Sequence, residues 1–120
     1  FINTIEELIQ NKTPVFTIIK LKINNLQSIN DTLGYDVGNK AFQYLTNKFL
    51  EVSSQHVDMM AILQQNVIGF LSLTLVDKEA IRVFADTLID ITKKPIKLND
   101  MNIFLTVNLG ISQYPEHGSN

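Results

Sequence analysis

The stretch TIIKLKINNLQSINDTLGYDVGN, residues 17–39, passes from an apolar segment into a polar one and gathers amines and amides where a catalytic loop would carry acids. Lys20 and Lys22 interrupt the apolar run, and Asn24, Asn25 and Asn30 follow. An ammonium group pairs with a phosphate or carboxylate and a carboxamide hydrogen-bonds a base, but neither is the hard oxygen anion that Mg²⁺ or Ca²⁺ prefers. A second amide cluster, Gln64-Gln65-Asn66, separates two apolar runs. His56 and His117 are far apart and in no metal-ligand spacing, and cysteine is absent, so no zinc, no thiolate-metal site and no disulfide is expected.

The elements that must position these residues follow from periodicity. Ile2, Ile5, Leu8 and Ile9 share one helical face in residues 2–11, with a stop at Asn11 and Thr13-Pro14. Residues 15–24 alternate as a strand: Val15, Thr17, Ile19, Leu21 and Ile23 face one way, and Phe16, Ile18, Lys20, Lys22 and Asn24 the other. The second face turns polar toward the C-terminal end. Residues 25–33 predict one or two helical turns, Gly34 and Gly38 flank a turn, and Ala41, Leu45, Lys48, Phe49 and Val52 lie at helical spacing. The runs 57–63 and 67–75 predict an antiparallel hairpin turning at Gln64–Asn66, beside the first strand. Asp77 is placed to cap a helix that buries Ala80, Ile81, Phe84, Leu88 and Ile91 and ends before Pro95. A short strand, a turn at Asn99-Asp100 and one longer strand through Gln113 complete an α+β chain, helices on an antiparallel sheet with ferredoxin-like layering.

Bulk properties narrow the function. A chain of 120 residues, 45% hydrophobic, is expected to form one domain over 1–120. A net charge of -2 with scattered basic residues argues against nucleic acid and anionic lipid as partners. The apolar runs are far shorter than the roughly 20 residues that span a bilayer, so no direct membrane insertion is expected. The start at Phe1 and the end in Gly-Ser-Asn are those expected of an excerpt from a longer protein.

The order of these elements, with INDTLG at 29–34, Gly38, and later Leu105-Thr106, Gly110 and Tyr114-Pro115, resembles the GGDEF domain of diguanylate cyclases over almost the whole chain. The resemblance implies that family's nucleotide-cyclase fold, with a final helix that this sequence lacks. It places Lys22 and Asn24 where the family has two strand-end aspartates, the first a metal ligand. Gln64, Gln65, Asn66, Val67 and Ile68 stand in place of the signature G-G-D-E-F, and none of the five is retained. Asn30 matches the asparagine that recognises guanine, and Asn39 replaces the aspartate beside it. The product-inhibition motif R-x-x-D falls at Gln55–Asp58, with its arginine missing.

What the resemblance implies is a degenerate, catalytically inactive domain, not an enzyme, with no cofactor and no metal, acting as a regulatory or interaction module in bacterial cyclic-di-GMP signalling. The alternative is a GTP-binding sensor, holding GTP weakly and controlling an adjacent EAL phosphodiesterase domain. An active cyclase is the third reading. Sensory and EAL-type neighbours in the same protein, a homodimer and a cytoplasmic location, in a membrane-anchored protein or not, are implied by the resemblance alone. Plainer readings stand beside these: Lys22 as a strand-end lysine reaching solvent, or paired with a phosphate, Asp31 or Asp36; Asn30 as a turn residue; Gln64–Asn66 as an ordinary turn; Glu116 and His117 as solvated side chains.

Overall fold

Alternation of apolar side chains makes residues Phe16–Ile23 a strand, β1, buried on one face along its whole length and on the other only at its start. The computed structural model describes residues 2–10 and 15–114; the expected stop at Asn11 to Pro14 and the segment Pro115–Asn120 lie outside the described residues. Helix α1 (Ile2–Gln10) precedes β1; α2 (Leu26–Leu33), α3 (Tyr35–Ser53), β2 (Met59–Gln64), β3 (Val67–Ser72), α4 (Lys78–Lys93), β4 (Ile96–Leu98), β5 (Met101–Ile103) and β6 (Val107–Tyr114) follow. The main sheet has the order β2-β3-β1-β6, antiparallel throughout. A separate β4-β5 hairpin turns at Asn99 and Asp100, both at positive φ, as a tight two-residue turn requires.

Two apolar clusters hold the layers together. On the inner face of the sheet, Ile19, Leu21, Ile23, Ile68 and Phe70 pack against Leu26 of α2, Ala41, Leu45 and Phe49 of α3, and Ile81, Phe84 and Leu88 of α4. On the outer face, Phe16, Ile18 and Leu71 are covered by Ile5 and Leu8 of α1. Beyond that cover the outer face is open, and Lys20 and Lys22 stand exposed on it.

Several expected boundaries move. Val15 is exposed and precedes β1, and Ile2 and Ile9 of α1 are exposed while Ile5 and Leu8 pack. Gly38 is not in a turn: α3 begins at Tyr35, after Gly34, whose φ of 97° and ψ of 156° form a kink that only glycine adopts readily. The β2-β3 turn is Gln65-Asn66 alone, because Gln64 pairs with Val67 across a register shift at Leu63. The single long strand expected after Asn99-Asp100 is two. Asn25 causes the break: its side-chain N–H bonds the Phe104 carbonyl (2.8 Å) and its side-chain oxygen accepts from the Thr106 N–H (3.0 Å). The Asn24 N–H also bonds the Thr106 carbonyl (2.8 Å), so residues 104–106 leave strand geometry and Leu105 turns into the core.

Candidate functional site

The end of β1 is the candidate site, because strand pairing fixes which side chains meet there. In an antiparallel sheet, directly opposed residues project to the same face with Cβ atoms about 5 Å apart. On the outer face Lys22 is opposed by Val67 of β3 on one side and by Asn108 of β6 on the other, and Gln64 of β2 opposes Val67. Asn24, just past the end of β1, is exposed. Ile68 points the other way, fully buried in the core. The five residues from Gln64 to Ile68 thus divide among an exposed edge, a turn and a core position.

A divalent cation does not fit this donor set. Mg²⁺ and Ca²⁺ are held by oxygen anions, whereas the groups converging at the end of β1 are an ammonium, a valine and amides. At an effective dielectric near 20, two unit charges about 4 Å apart interact by roughly 4 kcal/mol, so an ammonium repels a divalent ion by several kcal/mol. Among the described residues no group of three or more His, Cys, Asp or Glu is placed to hold a metal ion. Neither Asp31 nor Asp36 forms an ion pair with Lys22 in the described residues; Asp31 instead accepts from Gln27 (2.9 Å).

Beside the strand end, the hairpin turn builds a small cleft. The Ile23 N–H bonds the Asn66 carbonyl (2.8 Å), and the Asn66 side chain donates to the Ile23 carbonyl (3.3 Å), docking the turn onto β1. Leu26, Gln27, Asn30, Gln65 and Asn66 line a cleft of about 120 Å³. Asn30 is only 5% exposed, and its Oδ1 has no hydrogen-bond partner. A buried carbonyl oxygen without a partner is costly, and this one is enclosed against Gly38. Its position depends on Gly38: a Cβ there would lie 2.8 Å from Asn30 Cγ and closer still to Oδ1. Asn39 is exposed on α3 and is not part of the cleft lining.

The segment Gln55–Asp58 serves the fold. Asp58 Oδ2 accepts from the Leu73 N–H (2.6 Å), and the Asp58 N–H bonds the Leu71 carbonyl (2.8 Å). Gln55 and His56, the latter's ring tilted at 56° and 5.7 Å from that of Phe84, line a broad groove of about 640 Å³ between the C-terminal end of α3 and α4. Sequence reasoning missed three features of this region: the Asn25 clamp, the Asn66 side-chain bond and the packing of Asn30 on Gly38. None of the three left a local signal, because each joins segments that only the folded chain brings together.

The sequence profile described as "Diguanylate cyclase, GGDEF domain" matches residues 1–120. The chain belongs to the GGDEF family. The "Uncharacterized protein sll1895" of Synechocystis sp. is 28% identical over 93% of this chain and 16% of its own length. The "Cyclic di-GMP phosphodiesterase NbdA" of Pseudomonas aeruginosa is 26% identical over 84% of this chain and 13% of its own. This GGDEF chain therefore spans less than a fifth of either curated relative. In structure it is similar to the isolated GGDEF domain of PA1120 (TpbB or YfiN) from Pseudomonas aeruginosa, with a TM-score of 0.77, 20% identity and coverage of 95% of this chain and 66% of that one. The expected α+β fold, an antiparallel sheet flanked by helices, is that of the family. No helix among the described residues is long and apolar enough to cross a membrane.

Proposed function

We propose that this GGDEF domain does not make cyclic di-GMP and serves as a regulatory or interaction module, occupying the whole of 1–120, in a cyclic-di-GMP signalling protein. The observation that carries this reading is the opposition of Lys22 and Val67 across β1 and β3. Phosphoryl transfer from GTP needs a divalent ion to offset the triphosphate charge, and these two side chains repel one or ignore it. Gln64 at the end of β2 and Gln65 in the turn add side chains where glycines would leave the backbone free to approach a nucleotide. Adjacent sensory and EAL-type domains are the natural partners, since a relative named as a cyclic di-GMP phosphodiesterase carries a similar segment within a far longer chain. Homodimers and a cytoplasmic setting, in a membrane-anchored protein or not, belong to the same reading. Incubating the purified protein with GTP and Mg²⁺ and analysing the nucleotides tests it: cyclic di-GMP above the level of a heat-inactivated blank overturns it.

A second reading, a GTP-binding sensor that controls an adjacent EAL domain, is favoured by the small cleft that Asn30 lines with Leu26, Gln27, Gln65 and Asn66. The amide of exposed Asn39 offers a neutral acceptor in place of a carboxylate, which makes such binding weak. Guanosine binding that is lost in Asn30→Ala supports this reading. Binding that is unaffected by the change, or absent from the parent protein, contradicts it.

A further inference from the structure

We propose that the seam between α3 and α4 is a docking face for a second copy of this chain, which lies antiparallel on it about a two-fold axis at Thr87. This names the face of the homodimer included in the reading above and rests on that part of it. It does not depend on whether the domain turns over GTP.

The first ground is shape. The two helices turn Leu45, Phe49 and Leu88 into the core against the sheet, so the seam between them opens on the far side. Two clefts run along it. The broad groove of about 640 Å³ lies where the C-terminal end of α3 faces the start of α4, and a smaller cleft of about 330 Å³ lies farther along, between Tyr44 and Lys48 of α3 and Ile91 and Lys94 of α4. Thr87 lines both. The walls of the broad groove include Val52, Ala80 and Phe84, and at the rims Val83 is 54% and Tyr44 44% exposed. An apolar strip of this kind, rimmed by charged side chains, is covered from water only when another element lies along it.

The second ground is charge, and it selects the occupant. Glu51, Asp77 and Glu79 line the broad groove with no lysine or arginine among them, whereas Lys48 and Lys94 line the smaller cleft with Asp90. The seam is therefore acidic at one end and basic at the other. Glu79 is held by Arg82 of its own helix and Asp90 by Lys93 (3.7 Å), while Lys94 takes part in none of the ion pairs of the described residues. A second copy laid in the same direction sets like charge on like. One turned end for end sets the acidic end of each on the basic end of the other, so the face is complementary to itself. Thr87 stands eight residues after Glu79 and seven before Lys94, about 12 Å and 10.5 Å along the helix axis. A two-fold axis at Thr87 thus brings Glu79 of each copy beside Lys94 of the other, and Val83 over Ile91. Such a contact closes at two copies and leaves no free face to propagate.

The test is disulfide linkage, because residues 1–120 contain no cysteine and a side chain on a two-fold axis meets its own copy. Under mild oxidation the full-length protein carrying Thr87→Cys should become a covalent dimer linked through position 87, above the background of the parent. Lys97→Cys, on exposed β4, should stay unlinked. Sedimentation of the parent should show a concentration-dependent dimer. Lys94→Glu should weaken it by about tenfold through the like charges it sets together, as should Val83→Glu, and adding Glu79→Lys to Lys94→Glu should restore it. A monomeric mass at every concentration overturns both the proposal and the homodimer of the reading above. A dimer that position 87 does not link, or that the charge exchange does not restore, overturns the docking face alone. Cyclic di-GMP production bears only on the inactive-domain reading.

Discussion

At the scale of the residue, the proposed inactivity rests on two side chains. Lys22 and Val67 are opposed on one face of the sheet, so replacing them together tests the charge argument without disturbing the core. The double variant Lys22→Asp with Val67→Glu should acquire Mg²⁺ binding in a calorimetric titration, while the parent shows none. Micromolar Mg²⁺ binding by the parent, lost on changing Lys22, contradicts the account. Gly38 carries a second prediction. Because a Cβ at 38 would displace the Asn30 side chain, Gly38→Ala should destabilise the fold by about 1–3 kcal/mol, as overpacking does, read from denaturant midpoints. The unusual residue types at 22, 24 and 64–66 were legible in the sequence, and so was Asn30. That Asn30 is buried against a helical glycine was not, because the contact joins two helices whose packing no local pattern encodes.

At the scale of the element, local signals and tertiary bonds divide the fold. Alternation disclosed β1 and the β2-β3 hairpin, and Asp77 disclosed the start of α4, where it accepts from the Ala80 N–H at 3.2 Å. Asp77→Ala should cost about 1 kcal/mol of stability, the usual loss of a helix N-cap, measured by thermal or denaturant unfolding. The split between β5 and β6 could not be read locally, since residues 101–113 look like one strand and the break is imposed by Asn25, some eighty positions away. Asn25→Ala should therefore remove two bonds and cost about 1–3 kcal/mol, with faster amide exchange at Thr106 as its local mark. An unchanged exchange rate at Thr106 would show that the clamp does not hold the break.

At the scale of the whole molecule, the chain has the GGDEF fold, and the proposed inactivity concerns only the groups at the end of β1. The sheet, its order and its inner core depend on apolar side chains such as Leu21, Ile68 and Phe70, and none of these is affected by an ammonium or an amide on the outer face. The central claim is tested most directly by one measurement: the purified full-length protein is incubated with GTP and Mg²⁺, and cyclic di-GMP is quantified together with its linear hydrolysis product. The account predicts neither product above a heat-inactivated blank. Accumulation of either one from GTP would contradict it.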